Sequence, residues 1–549
     1  MHLKRSPRQH LRDASFSRYL FPLAAPHPMF RPLLLSLCVA LLPVSRAESP
    51  PADVIVYGGT AGGAMAAIGA ASQGARVLLL EPGRHIGGML SGGLGRTDMD
   101  RQENCIGGLA LEFFRRVGRH YDQDIAWIFE PHVAENILKA MLKEQNVTVE
   151  YGQGIDAVIK TEGRISAIKS SEGRVHTAKV FIDATYEGDL LKAAGVSYRV
   201  GRESRDLYQE SLAGRREILR SNHQVNFAIS PWKDGRLLPH ITAEEDLTPT
   251  GAGDGKIQGY CFRLCLTDVP ENRLPIPRPE RYDREDYELI RRCFEVGGEK
   301  VQNILGIKPM PNGKTDINAG YPFSLNLLGA NQDYPDGSPS RRKEIWQQHL
   351  DWAHGLVYYL QNDPSVPTGI RAKYAPWGLC KDEFTDTGGW PHQLYIREAR
   401  RMLGEYVLTQ HDLMTNPRKF DRIGLAGYNI DIREVQWVSL KTFYFPKAAE
   451  EVYMEGYLSH PVEPWDIPYR ALLPRYSECQ NLLVPVCASA STIAFASFRM
   501  EPQYMIAGQA AGIAAAMASH DDTAVHLVPI AELQKRLRAA GQILELNVN

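Results

Sequence analysis

The stretch Asp53-Val-Ile-Val-Tyr57, running into Gly58-Gly-Thr-Ala-Gly-Gly63, the small-residue segment Ala64 to Gln73, a turn at Gly74 and Val77-Leu-Leu-Leu-Glu81, decides the fold. An apolar strand, a glycine turn, a helix and a second apolar strand ending in an acid make the start of a βαβ unit. Glycines let the backbone turn tightly and approach a pyrophosphate. The helix N-terminus then offers free N–H groups with partial positive charge. Gly58, Gly59, Thr60, Ala61, Gly62 and Gly63 are the candidates for that contact. Glu81 follows Gly63 by eighteen positions, the separation that places a carboxylate beside the adenosine ribose and disfavours a 2′-phosphate there. With Gly58 and Gly63 as first and third glycines of G-x-G-x-x-G, the middle position is Thr60; starting at Tyr57 keeps Gly59 and Gly62 but loses the first. The former preserves the spacing to the acid. A ligand-free strand-to-helix turn is the competing reading, and strand, helix, second strand and acid together favour a dinucleotide.

Working outward, Pro82-Gly-Arg-His-Ile-Gly-Gly-Met89 and Leu90-Ser-Gly-Gly-Leu-Gly95 form a second glycine-rich loop where an NAD dehydrogenase would continue its sheet. This resembles the flavin-side extension of glutathione-reductase-like flavoproteins. The resemblance implies FAD, with Pro82, Arg84, Gly87, Gly88 and Met89 along the pyrophosphate and ribityl chain; His85 could contact substrate or flavin, or equally be a hydrogen-bonded surface-loop histidine. Strand signals from Asn146 to Ile182, punctuated by Glu162-Gly163 and Glu172-Gly173, read as a β-meander. It ends in Phe181-Ile-Asp-Ala-Thr-Tyr-Glu-Gly-Asp189, where the same superfamily has Ala-Thr-Gly-x-Gly-Asp. Asp183, Ala184, Thr185 and Asp189 thereby become cofactor candidates, with Tyr186 in place of a glycine. Near the C-terminus Asn481-Leu-Leu-Val-Pro485 reads as a closing strand, and Pro502 to Met517 as a helix carrying Gly508-Gln-Ala-Ala-Gly512. A helix start near Glu501 would aim N–H groups at the flavin pyrimidine, which makes Gly508 and Gln509 candidates. An Ala-rich core helix is the alternative.

Taken together, Tyr57-Gly-Gly-Thr60, His85-Ile-Gly-Gly-Met89, Gly388-Gly-Trp-Pro-His-Gln-Leu-Tyr-Ile-Arg-Glu-Ala-Arg-Arg401, Ser489-Ala-Ser-Thr-Ile-Ala494 and Phe498-Arg-Met-Glu-Pro502 resemble the FAD-dependent oxidoreductase family, loosely called xanthan-lyase-related, from about residue 53 to about 517. The implied fold class is α/β, a Rossmann-like FAD-binding domain of glutathione-reductase type (βαβ with β-meander) with an inserted mixed α+β substrate domain. Heterodisulfide reductase flavin subunits are distant relatives, but their cysteine clusters are missing here, so FAD carries over and iron–sulfur clusters do not. Two departures stand out: Arg433 within Tyr428-Asn-Ile-Asp-Ile-Arg-Glu-Val-Gln436 replaces a histidine common in relatives, and so does Thr492.

Residues 197–470 are expected to form the substrate domain, between 48–196 and 471–520 of the FAD-binding domain, with 521–549 a C-terminal extension. Tyr260 to Thr267 reads as a strand that points Cys261 and Cys265 to one face, and Arg341 to Gln361 as a helix whose Trp346, His349, Trp352 and Leu356 face the core. From Ile396 onward the pattern predicts another helix, with Arg397 and Arg401 one turn apart and His392 at its start. Flavin oxidation of a C–H bond beside an O–H or N–H needs a proton acceptor, which suits His392. Arg397 and Arg401 beside it would bind a carboxylate or polar group and could stabilise the anionic reduced flavin, and Arg433 is a further catalytic candidate. Arginines paired with Glu398 and Glu405 on a solvated helix are the plainer reading.

The chain has 549 residues, 62 basic and 64 acidic, for a net charge of -2; nothing in that balance supplies the positive field nucleic acid requires. No metal site is expected. Seven cysteines remain once Cys38 is set aside, in no metal or redox spacing, and read as buried thiols. Residues 1–47 read as a cleaved export signal: Phe30-Arg31, the apolar Leu33 to Leu42, then Ser45-Arg46-Ala47, with Met29 as a candidate start. The apolar stretch is far shorter than the roughly 20 residues a membrane span needs. The sequence thus points to an exported flavoenzyme that oxidises a small polar metabolite, a sugar or sugar acid by analogy, by hydride transfer to flavin N5 and passes electrons to an acceptor it does not identify. A reductase fed by a partner is the second reading, because Gly251-Ala-Gly-Asp-Gly255 lacks the helix of a second nucleotide site. A non-catalytic polysaccharide-binding protein with a vestigial nucleotide fold is the third. Oligomeric state is not legible.

Overall fold

The centre of the molecule is β1 (Ala52–Tyr57), whose Val54, Ile55 and Val56 are fully buried, as expected of a parallel strand covered on both faces. The computed structural model describes residues 51–97, 102–218, 224–444 and 447–546; the predicted export signal lies outside them. β1 pairs in parallel with β2 (Val77–Glu81), Val54 opposite Val77, and with β6 (Val175–Asp183), Tyr57 opposite Asp183. α1 (Ala61–Ala71) makes the crossover, and β3 (Thr148–Tyr151) adds to the far side of β2. β4 (Ile155–Thr161), β5 (Arg164–Ser170) and the first half of β6 form the antiparallel meander. The second half of β6 leaves β5 and pairs instead with β14 (Leu482–Leu483), Phe181 opposite Leu482. Strand ends at Tyr57, Glu81 and Asp183 therefore share one edge, the edge at which open parallel sheets bind ligands.

A second feature holds this unit together. α6 (Glu501–Asp521) lies against α1 so closely that small residues are obligatory on both helices. A Cβ on Gly508 would collide with the carbonyl oxygen of Gly62, one on Gly512 with that of Ala66, and one on Gly69 would stand 2.8 Å from that of Gln509. α2 (Gly108–His120) and α3 (Pro131–Glu144) follow the cofactor loop and pack on α1.

Between these parts the chain builds a five-stranded antiparallel sheet, ordered β8-β11-β7-β10-β9, from β7 (Leu264–Thr267), β8 (Arg273–Leu274), β9 (Asn303–Pro309), β10 (Lys314–Tyr321) and β11 (Gly378–Cys380). The long helix α4 (Pro339–Asn362) is capped by Ser338, whose hydroxyl accepts from the Arg341 N–H. A hairpin of β12 (Gln436–Tyr444) and β13 (Lys447–Glu455) completes the region. The helix predicted from Ile396 does not form: residues 396–400 are irregular and Arg401–Met402 pair with Tyr198–Arg199 as a short strand. Tertiary hydrogen bonds win here, since Arg400 and Arg401 bind carbonyl oxygens of Pro335, Glu187, Gly201 and Ala490, which an isolated helix could not offer. The strand predicted from Tyr260 starts only at Leu264, so Cys261 meets Arg397 while Cys265 faces Cys380 across the sheet, Sγ to Sγ 3.9 Å. All seven described cysteines are buried free thiols. Among the described residues no helix is long and apolar enough to cross a membrane.

Candidate functional site

A cleft of about 480 Å³ opens at the shared strand edge, lined by Gly58, Gly59, Thr60, Glu81, Pro82, Arg84, Gly88 and Thr185 from the sequence-derived candidates. The turn requires glycine for steric reasons. Gly58 has φ +101°, and a Cβ there would sit 2.8 Å from the Thr185 nitrogen; a Cβ on Gly59 would meet the Glu81 carboxylate at 2.9 Å. Thr60 explains why a glycine is dispensable at the middle position. Its hydroxyl accepts from the Gly63 N–H (3.1 Å), capping α1, and donates to the Ala184 carbonyl (2.7 Å), tying the turn to the end of β6. The Gly58 N–H is taken by the Leu80 carbonyl (2.8 Å) and the Gly59 N–H by Glu81, so a pyrophosphate would meet the N–H groups that follow, at the start of α1. Glu81 accepts from the Gly59 N–H (2.6 Å) and the Gly83 N–H (2.5 Å). Burial nevertheless raises its pKa to about 7, against the pull of those two amides.

Above the turn, His85 and His392 stack at 3.7 Å with rings 10° from parallel. His85 lies 3.3 Å from Glu135 and 3.1 Å from Asp386, and the Glu135 hydrogen bond raises its pKa. Burial, helped by the neighbouring His85, lowers that of His392 to about 4, and neither of its ring nitrogens has a partner among the described residues. One imidazole is thus held toward the cation and the other neutral. Tyr334, Trp346 and Leu394 supply the opposite wall. Of the predicted core stripe on α4, His349 and Leu356 are buried while Trp346 faces this cleft.

Several predicted cofactor residues turn elsewhere. Gly62, Gly63, Gly508 and Gln509 serve packing: Gly63 lies under the Gly58 carbonyl, Gly508 on Gly62, and the Gln509 side chain accepts from the Leu109 N–H at 2.8 Å. Ala61 is a fully buried residue of α1. Gly87 (φ +110°) turns the loop and donates to the Gly59 carbonyl. The buried Met89 donates its N–H to the Tyr186 hydroxyl (2.9 Å), which in turn donates to Glu501 (2.6 Å). Asp183 folds back to accept from the Thr185 N–H, the Thr185 hydroxyl and the Leu191 N–H, and Ala184 supplies the carbonyl for Thr60. Asp189 is drawn off by Arg400 (2.7 Å) and Arg342 (2.8 Å).

The proposed catalytic trio is divided. His392 belongs to the cleft, whereas Arg397 and Arg433 line a separate cavity of about 550 Å³ together with Arg96, Arg263, Lys308 and Arg499. The segment 394–395 is the wall between them, Leu394 facing the cleft and Tyr395 the cavity. Arg397 stacks over Tyr395 at 4.4 Å and donates to the Gly259 carbonyl; Arg433 pairs with Glu434 (3.2 Å). Arg401 is elsewhere, buried between Glu203 (2.7 Å) and Glu398 (2.9 Å). A third polar cluster gathers Glu130, His132 and Glu383 with ligand atoms within 4.8 Å, but the buried Lys314 ammonium stands among them, 2.6 Å from Glu130 and 2.7 Å from Glu383. It supplies there the positive charge a metal would bring.

The family described as "FAD dependent oxidoreductase" matches residues 53–537. No curated protein matches. Solved structures with local similarity include THI4 from Thermovibrio ammonificans (22% identity, 28% of this chain and 67% of that one, TM-score 0.22). OxyS anhydrotetracycline hydroxylase from Streptomyces rimosus shares 15% identity over 32% of this chain and 41% of its own, TM-score 0.23. A 3-ketosteroid-delta4-(5alpha)-dehydrogenase from Rhodococcus jostii RHA1 shares 16% over 28% and 50%, TM-score 0.19. The matches span half or less of the last two. On the family match, which covers most of the chain, this protein belongs to the FAD-dependent oxidoreductase family.

Proposed function

We propose that the chain oxidises a small polar metabolite, of sugar or sugar-acid type, with FAD seated in the 480 Å³ cleft and a separate acceptor taking the electrons. FAD bound there supplies a two-electron acceptor at its N5. The supporting observation is the glycine turn at Gly58–Gly59 with Glu81 hydrogen-bonded across it. Glu81 would accept from ribose hydroxyls, and His85, kept toward its charged form by Glu135 and Asp386, would offset phosphate charge. A proton acceptor must come within about 3 Å of the group it deprotonates. His392 sits on the turn side of the Leu394–Tyr395 wall, and Arg397 on the other, which favours a cofactor-side role for His392. The leader at residues 1–47 supports export of a mature chain starting near residue 48, checked by N-terminal sequencing of protein made in cells.

The test is reconstitution followed by anaerobic mixing. The protein should take up one FAD, and sugars or sugar acids should bleach its absorbance near roughly 450 nm, where oxidised flavins absorb. Gly58→Ala should abolish uptake. Failure of the wild type to take up FAD, or bleaching by NADH alone, would overturn the oxidase reading.

A further inference from the structure

The 550 Å³ cavity behind Tyr395 is far more cationic than its neighbours require. Among the described residues, six basic side chains line it against one carboxylate, Asp431. Arg499 pairs with Asp431 (3.1 Å), Arg433 with Glu434 (3.2 Å) and Arg263 with Asp316 (2.9 Å). Arg397 has no such partner. Only 3% exposed, it is held by the Gly259 carbonyl, the Cys261 thiol (3.3 Å) and the Tyr395 ring, all neutral. Lys308 likewise meets no carboxylate among the described residues. Two further donors, the Nε atoms of Arg433 and Arg499, are buried without an acceptor.

A buried guanidinium without a counter-charge carries a desolvation cost that a protein does not ordinarily leave unmet. Four tyrosines share the lining, Tyr321, Tyr395, Tyr428 and Tyr457, and their hydroxyls suit polyhydroxy groups. Met500, which caps the start of α6, closes one end. The cavity therefore abuts both the cofactor-side wall and the helix terminus.

We propose that this cavity is the substrate site and that it selects a small organic acid, with a carboxylate paired to Arg397 and hydroxyls or a second carboxylate met by Arg433, Arg499 and the tyrosines. The proposal rests on the flavoenzyme reading above, and it excludes the neutral sugars which that reading alone would admit.

Holoenzyme should be titrated with glucuronate, tartrate and, as the neutral counterpart, glucose. Binding is followed by calorimetry and melting temperature, and oxidation by anaerobic bleaching. At least one acid should bind and bleach, with affinity falling as salt rises; glucose should do neither. Arg397→Gln should weaken acid binding by about tenfold or more, the usual cost of a lost charge-assisted hydrogen bond, with FAD content and flavin spectrum unchanged. Lys308→Met, at a partly exposed position without an ion pair, gives a second variant should Arg397→Gln fail to fold. Glucose binding as well as the acids, or neither acid binding to protein that holds FAD, would overturn the proposal while leaving the cofactor reading intact. Protein that binds the acids in calorimetry yet never takes up FAD would overturn the cofactor reading and keep the cavity.

Discussion

At the scale of single residues, Glu501 shows burial winning over a helix terminus. It opens α6, where the helix end favours negative charge, yet complete burial pushes its pKa up to about 8, and its one partner is the Tyr186 hydroxyl. Because the folded-state pKa lies above the unfolded value near 4.5, the folded chain holds a proton that the unfolded chain has released. The stability this brings is fully present below about pH 4.5 and is lost as pH rises through about 8, by up to about 1.4 kcal/mol per pH unit. Urea unfolding between pH 5 and 8 should show Glu501→Gln free of that portion of the slope; identical slopes in both proteins would contradict it. For His392, whose pKa lies at about 4, the Ala variant should lose FAD affinity while the reduction rate of flavin that remains bound stays within about tenfold of wild type. A fall of roughly 10² in single-turnover reduction, the usual worth of acid–base catalysis, would restore it as the proton acceptor. Residue types were legible in the sequence here. Their protonation was not, because it depends on burial and on charges brought from far away in the chain, such as Asp386 beside His85.

At the scale of elements, the α1–α6 contact gives the glycines in Gly508-Gln-Ala-Ala-Gly512 their purpose. They admit the backbone of α1 and so fix the position of the turn that precedes it. Gly512→Val would thrust side-chain carbons into the Ala66 carbonyl and should destabilise by about 1–3 kcal/mol or more, read as a lower melting temperature in apoprotein as well as holoprotein. A melting point unchanged from wild type would show that the helices can part without cost. The helix from Pro502 was legible because small residues in a run with a proline at its start leave few alternatives. Its partner was not. The failed helix at Ile396 teaches the converse: propensity favoured a helix over Ile396-Arg-Glu-Ala-Arg-Arg401, but Arg400 and Arg401 found acceptors on four distant segments, and propensity is a weak prior against that.

Over the whole molecule, buried ion pairs join what the sequence separates. Lys314 on β10 meets Glu130 at the start of α3 and Glu383 just after β11, so the cofactor-side helix and the inserted sheet share one ammonium. Lys314→Met should leave those carboxylates uncompensated and cost about 3–5 kcal/mol, measured by denaturant unfolding; a midpoint equal to wild type would contradict the role given to the network. The sequence by itself determined the βαβ start, the meander and the closing strand, because each is written in local periodicity and in glycines that only a tight turn or close approach tolerates. It also determined the glycine turn at Gly58–Thr60 and the acid at Glu81, whose spacing is a local property of strand, helix and strand. Only the tertiary structure decided that Trp346, Tyr334 and Asp386 join that cleft, that His392 parts company with Arg397 and Arg433, and that a cationic cavity stands behind Tyr395. Those arrangements depend on which distant groups satisfy a buried charge or hydrogen bond, and no local pattern records that choice.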